Sequence, residues 1–424
     1  MKKLVYNLAM DTSAGRKTCR GEDKFKGFIP GVLKIILFFL SLIYGVVIRI
    51  LMFVCYWRQW RIGCRVISVG NITVGGTGKT PLVEYIARYL KEQGHKTAVI
   101  SRGYNPGICN RKRHSTPNKD ASSSEKSAYI LQSMLALFSV KSASFFVVSV
   151  LRFYCKIRDK RKSANPVTRI PSPETMGDEP YMLEQSLKNV PVIVDTNRMR
   201  GINSALDEYG VDTVILDDGF QQWKIKKDLE IVAIDVSNPF GNRKMLPRGI
   251  LRQPLSSLSK ADVFVLTKVN INPDFDALKD FLGQINPKAI IVEAIHKPVG
   301  IYRLDMKNDP LDMAKLKGEK AALFSGIADP VSFEKIVMSL GIEVDLTFCF
   351  TDHYVYLDKD IEDIIRQSKD KGIDMIITTE KDAVKLSRIP YPVSRIPILV
   401  LRIELEITDN EERLHERLLK LSNP

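Results

Sequence analysis

The chain has 424 residues, enough for two domains each with its own core, and its 45% hydrophobic and 26% charged content excludes a disordered polymer. Lys and Arg outnumber Asp and Glu by 63 to 49, a net charge of +14, so an anionic partner is expected. Zinc-finger spacing, RNP-like aromatics and basic heptads are missing, which argues against nucleic acid, and six scattered cysteines without a C-x-x-C pair argue against a disulfide framework or thiolate metal site.

In chain order, residues 1–28 read as a basic N-terminal tail. Residues 29–57 are almost wholly apolar apart from Lys34 and Arg49, and exceed the roughly 20 residues a spanning helix needs. The late start and lack of a cleavage site argue against a signal peptide, leaving a core helix as the bland alternative. Basic residues flank both ends, so the positive-inside rule selects no side, and an interfacial anchor fits as well as a span. A membrane-anchor helix is therefore expected over 29–60, with Trp57 and Trp60 at headgroup level.

Residues 66–69 are β-like and lead through Thr73, Val74, Gly75, Gly76, Thr77 and Gly78 into Lys79, Thr80 and an amphipathic helix. Glycines there let successive amides curl around a phosphate, Lys79 adds a positive charge and Thr80 a hydroxyl for Mg²⁺. Thr73 stands where the usual phosphate loop has its first glycine. Pro81 suits the first helical turn. The spacing of Leu82, Tyr85, Ile86, Tyr89 and Leu90 predicts a helix packed on a sheet.

A second strand is expected at 97–100, before Ser101-Arg102-Gly103-Tyr104. Residues 105–170 read as an insertion, either on the bilayer or as a helical hairpin. A turn at 176–180 opens a helix over 181–188; strands follow at 191–194, 211–216, 230–235 and 262–267. Beyond residue 300 the β/α pattern restarts. The fold class is therefore α/β: a P-loop NTPase-like, doubly wound, mostly parallel sheet over 61–300, a second, smaller α/β domain over 301–424, and the N-terminal anchor helix.

Phosphoryl transfer needs phosphate neutralisation, a held metal and an oriented nucleophile. The strand ending in Asp217-Asp218 has the Walker-B shape, although Asp-Asp-Gly is also a good turn. Asp178 and Glu179 at a helix start suit the helix dipole, and are equally placed for a general base or metal ligand. His353 is one of five histidines and reads as structural or catalytic. Thr267-Lys268-Val269-Asn270 is close to the guanine-reading [NT]-K-x-D, but Asn270 lacks the carboxylate, so a guanine preference is not supported.

The blocks SVGNITVGGTGKTP (68–81), SRGY (101–104), GDEP (177–180), DDGFQ (217–221), FGN with LPRGILRQP (240–254), FTDHY (350–354) and TTEKDAVK (378–385) together resemble the tetraacyldisaccharide 4′-kinase family. They cover nearly everything from residue 66 onwards, and Thr73 agrees with that family's form of the loop. The resemblance implies an ATP- and Mg²⁺-dependent kinase acting on an acylated glucosamine disaccharide 1-phosphate in lipid A biosynthesis. It implies a monomer at the cytoplasmic face of the inner membrane. It carries catalysis to Asp178, His353 and Lys79, nucleotide binding to residues 73–80 and Arg198, and the metal side to Thr80, Asp217, Asp218, Gln221 and Glu179. Gln222 stands where the family has His, so no role passes to it, and 105–170 is longer than the family's spacing. The rival reading is a membrane-associated P-loop GTPase or ATPase with a metallochaperone or regulatory role, which would need no base.

Overall fold

The computed structural model describes residues 29–103, 173–272, 274–386 and 396–420; the basic tail and the 105–170 insertion expected from sequence lie outside these. The first half is built from β1 (Arg65–Gly70), β2 (Thr97–Ser101), β3 (Val192–Val194), β4 (Thr213–Asp217), β5 (Leu229–Asp235), β6 (Val263–Thr267) and β7 (Ile290–Arg303). Each of β1, β2, β4, β5 and β6 is buried along nearly its whole length, which is why these segments read as continuous apolar runs. They pair in parallel in the order β3-β2-β4-β1-β5-β6-β7.

The second half holds β8 (Met306–Leu311), β9 (Lys320–Ser325), β10 (Glu343–Cys349), β11 (Met375–Thr379) and β12 (Ile398–Asp409). The two halves share one twelve-stranded sheet. Their seam is the antiparallel pairing of β7 with β12, running from Leu399 opposite Arg303 to Asp409 opposite Glu293. The parallel blocks are staggered along these two strands: β6 pairs with Ile290–Ala294, while β11 pairs with Ile398–Leu401. The boundary expected at residue 300 therefore falls inside a strand. The C-terminal helix also crosses it, since Leu414 and Leu418 are buried with Leu82, Ile86 and Val292 of the first half.

The apolar helix α1 (Ile29–Trp57) lies lengthwise on this body. Leu37, Ser41, Met52 and Cys55 are buried, and Tyr44 and Ile48 pack against the core beneath. The Tyr44 hydroxyl donates to the Arg252 carbonyl at 2.9 Å. The opposite stripe, Phe39, Leu42, Val46, Ile50, Phe53 and Trp57, is exposed.

Candidate functional site

The phosphate loop joins β1 to α2 (Lys79–Glu92). Gly75 and Gly78 have φ of 128° and 75°, the left-handed region where side chains are strained. At Gly78 space forbids a side chain too, since a Cβ would stand 2.7 Å from His296 Nε2. Thr73 pairs through its backbone with Leu251, and the Val74 amide donates to the Ile250 carbonyl at 2.8 Å. The start of the loop is thus pinned by the LPRGILRQP segment. The Thr77 carbonyl accepts from the Thr267 hydroxyl at 3.1 Å. Lys79 and Thr80 open α2, where free amides and the helix dipole favour a phosphate.

Facing this loop are the two aspartates at the end of β4, Asp217 within the strand and Asp218 just beyond it. Asp217 is buried and accepts from the Ser101 hydroxyl at 2.8 Å. Burial, with Glu179 and Asp218 adding, raises its carboxyl to about 6. Asp218 has φ 55° and receives both guanidinium nitrogens of Arg252, at 2.7 and 2.9 Å. Burial opposes its charge, but Arg252 outweighs that and holds the carboxyl well below the usual range. Lys79 Nζ stands 3.8 Å from the same carboxylate. The Lys79 charge helps keep Glu179, Asp217 and Asp218 ionised, so all three share its surroundings.

Gly177, with φ 90°, precedes α3 (Asp178–Ser186). Asp178 is buried in its first turn, and Asp178 Oδ2 lies 3.4 Å from His353 Nδ1, which the 350–354 loop brings across from the second half. Glu179 gives its carboxylate to Lys381 Nζ at 2.9 Å. Burial works against the Glu179 charge, yet Lys381 brings its pKa down to about 2. Among the predicted metal ligands, Glu179 is therefore engaged by a lysine. Gln221 Nε2 donates to the Asn71 carbonyl at 2.9 Å, leaving Oε1 buried without a hydrogen-bond partner.

Arg198 opens α4 (Arg198–Tyr209) and is buried. It donates to the Asp195 and Asp217 carbonyls at 2.6 and 3.3 Å, while its Nε has no partner. It reaches the phosphate side through the backbone of Asp217.

Lys268, in the segment close to a guanine reader, has another task. Its Nζ is buried between Asp235 and Asp329, at 2.5 and 2.6 Å, tying β5 to the second half.

Arg252 and Lys381, to which no role is expected from sequence, lie in the LPRGILRQP and TTEKDAVK segments. A long cation inside a motif that already supplies glycine, proline or acid is the signal that marks them.

The family model for tetraacyldisaccharide-1-P 4′-kinase matches residues 33–140 and 139–423. A tetraacyldisaccharide 4′-kinase of Halothermothrix orenii is 36% identical over 84% of each chain. One from Desulfatibacillum aliphaticivorans is 30% identical over 91% of each. The crystal structure of LpxK from Aquifex aeolicus in complex with ATP superposes with a TM-score of 0.61 and 25% identity, covering 92% of this chain and 99% of that one. By motif, fold and relatives alike, this chain belongs to the tetraacyldisaccharide 4′-kinase family.

Proposed function

We propose that the chain transfers the γ-phosphate of ATP to the 4′-hydroxyl of a tetraacylated glucosamine disaccharide 1-phosphate, with Asp178 as general base. The observation that carries this is the meeting of Asp178 and His353, with the charges of both His353 and Lys79 acting on the adjacent Glu179, while Lys79 faces Asp218. Asp178 accepts the hydroxyl proton as the sugar oxygen bonds to phosphorus, and the bond to the ADP oxygen breaks. His353 orients the Asp178 carboxylate. Lys79 and the α2 amides neutralise the phosphates, and Arg198 holds the Asp217 backbone in place.

The residues present fit Mg²⁺. Thr80, Asp217 and Asp218 offer hard oxygen donors, and a divalent cation would offset the burial that raises Asp217 to about 6. When bound, Mg²⁺ supplies charge neutralisation between the phosphates.

The exposed apolar stripe of α1 supports an interfacial seat on an anionic membrane; a monomer on the cytoplasmic face of the inner membrane is what the family resemblance implies. A non-catalytic regulator is disfavoured because it would have no use for the Asp178–His353 pair. The test is incubation with labelled ATP, Mg²⁺ and the tetraacylated disaccharide 1-phosphate, with thin-layer separation; lack of a labelled bisphosphorylated lipid would sink the proposal.

A further inference from the structure

The contacts around Asp178 and His353 close into a ring. His353 Nδ1 faces Asp178 Oδ2 at 3.4 Å, and His353 Nε2 lies 3.8 Å from Oδ2 of Asp352. Asp352 accepts from Lys381 Nζ at 3.0 Å, and the same nitrogen donates to Glu179 at 2.9 Å. Glu179 is the chain neighbour of Asp178, and Asp352 that of His353. One lysine therefore joins the two residues that stand next to the catalytic pair, one from each half of the molecule.

Lys381 is itself held firmly. It lies in α5 (Glu380–Leu386), which packs on α3. The adjacent Asp382 is fully buried and accepts from the Gly326 amide, the Thr379 and Tyr356 hydroxyls and Lys385 Nζ. Such a satisfied hub fixes the start of the helix, and with it the root of the Lys381 side chain. A surface ion pair would contribute little, but the Lys381 side chain is only 16% exposed and bridges two carboxylates from separate segments.

We propose that Lys381 is a positioning residue for phosphoryl transfer: by holding Glu179 and Asp352 together it sets the approach of His353 to Asp178. This rests on the kinase reading above. Displacing reacting groups by about 1 Å costs on the order of 100-fold. Lys381→Met is therefore expected to lower kcat by about 100-fold while leaving KM for ATP within about twofold. Lys381→Arg, which can span both carboxylates, should recover most of the loss. Glu179→Gln should cost much less in the Lys381→Met background than alone, since both cut the same link.

The proposal is overturned by an unchanged kcat in Lys381→Met, by a loss confined to KM for ATP, or by Lys381→Arg being as slow as Lys381→Met. Should Lys381→Met not fold, Asp352→Asn cuts the other arm from a loop residue, and a wild-type kcat there is equally fatal. Wild type and Asp178→Ala run in the same assay separate the failures. If wild type labels the lipid and Asp178→Ala does not, the kinase reading stands whatever Lys381 does.

Discussion

Arg252 grips Asp218 with two nitrogens, at 2.7 and 2.9 Å, and also donates to the Asn71 carbonyl at 3.0 Å. Asn71 leads into the phosphate loop, so one guanidinium ties the loop's entry to the acid across from Lys79. Lysine at this position keeps the charge and loses the fork. A charge-assisted hydrogen bond is worth about 1.5–3 kcal/mol, less when partly exposed as here. Arg252→Lys should weaken Mg·ATP binding by about tenfold, measured by titration calorimetry at fixed Mg²⁺. Unchanged affinity would show that Asp218 needs no such tether.

The roles proposed for Asp178 and His353, which meet at 3.4 Å, predict that binding and chemistry respond differently to their loss. A general base contributes about 10²–10⁴ in rate. Asp178→Ala is expected to bind ATP as the wild type does and to lose turnover by that factor. His353→Ala, which leaves the carboxylate in place, should lose less. Equal losses in both variants, read from initial rates at saturating substrate, would contradict the division of roles.

His296 makes acid stability readable. Burial, with the Lys268 charge adding and Asp329 opposing, pushes the ring down to about 4. An unfolded histidine titrates near 6.5, so the unfolded chain binds the proton first as pH falls. The stability is fully present above about pH 6.5 and declines towards pH 4, by up to about 3 kcal/mol. His296→Leu removes this pH dependence. In urea titrations the wild type should lose more stability than the variant between pH 7 and 5; parallel curves would show that the ring takes no part.

The apolar stripe of α1 predicts membrane retention without a role in folding. Each large apolar side chain moved out of water contributes about 1.5–3 kcal/mol. Phe39→Asp with Phe53→Asp should release the protein from anionic vesicles in a flotation assay, leaving its melting temperature unchanged. Retention of the double variant would place the anchor elsewhere.

Local features were legible in the amino-acid order. Gly75, Gly78 and the Lys-Thr start of α2 follow from backbone sterics and helix capping, and buried strands from runs such as Val214-Ile215-Leu216. The resemblance carried by the GDEP and FTDHY blocks singled out Asp178 and His353, but their approach to 3.4 Å across 175 residues is a product of the fold. What joins blocks far apart was decided only by the tertiary structure. Arg252 meets Asp218 across 34 residues and Lys381 meets Glu179 across 202. The antiparallel seam of β7 and β12, which makes one sheet of two parallel blocks, and the lengthwise seat of α1 are of the same kind. Periodicity reports which face of an element is apolar; it carries no record of which distant side chain will satisfy a buried charge, because that choice is made by packing.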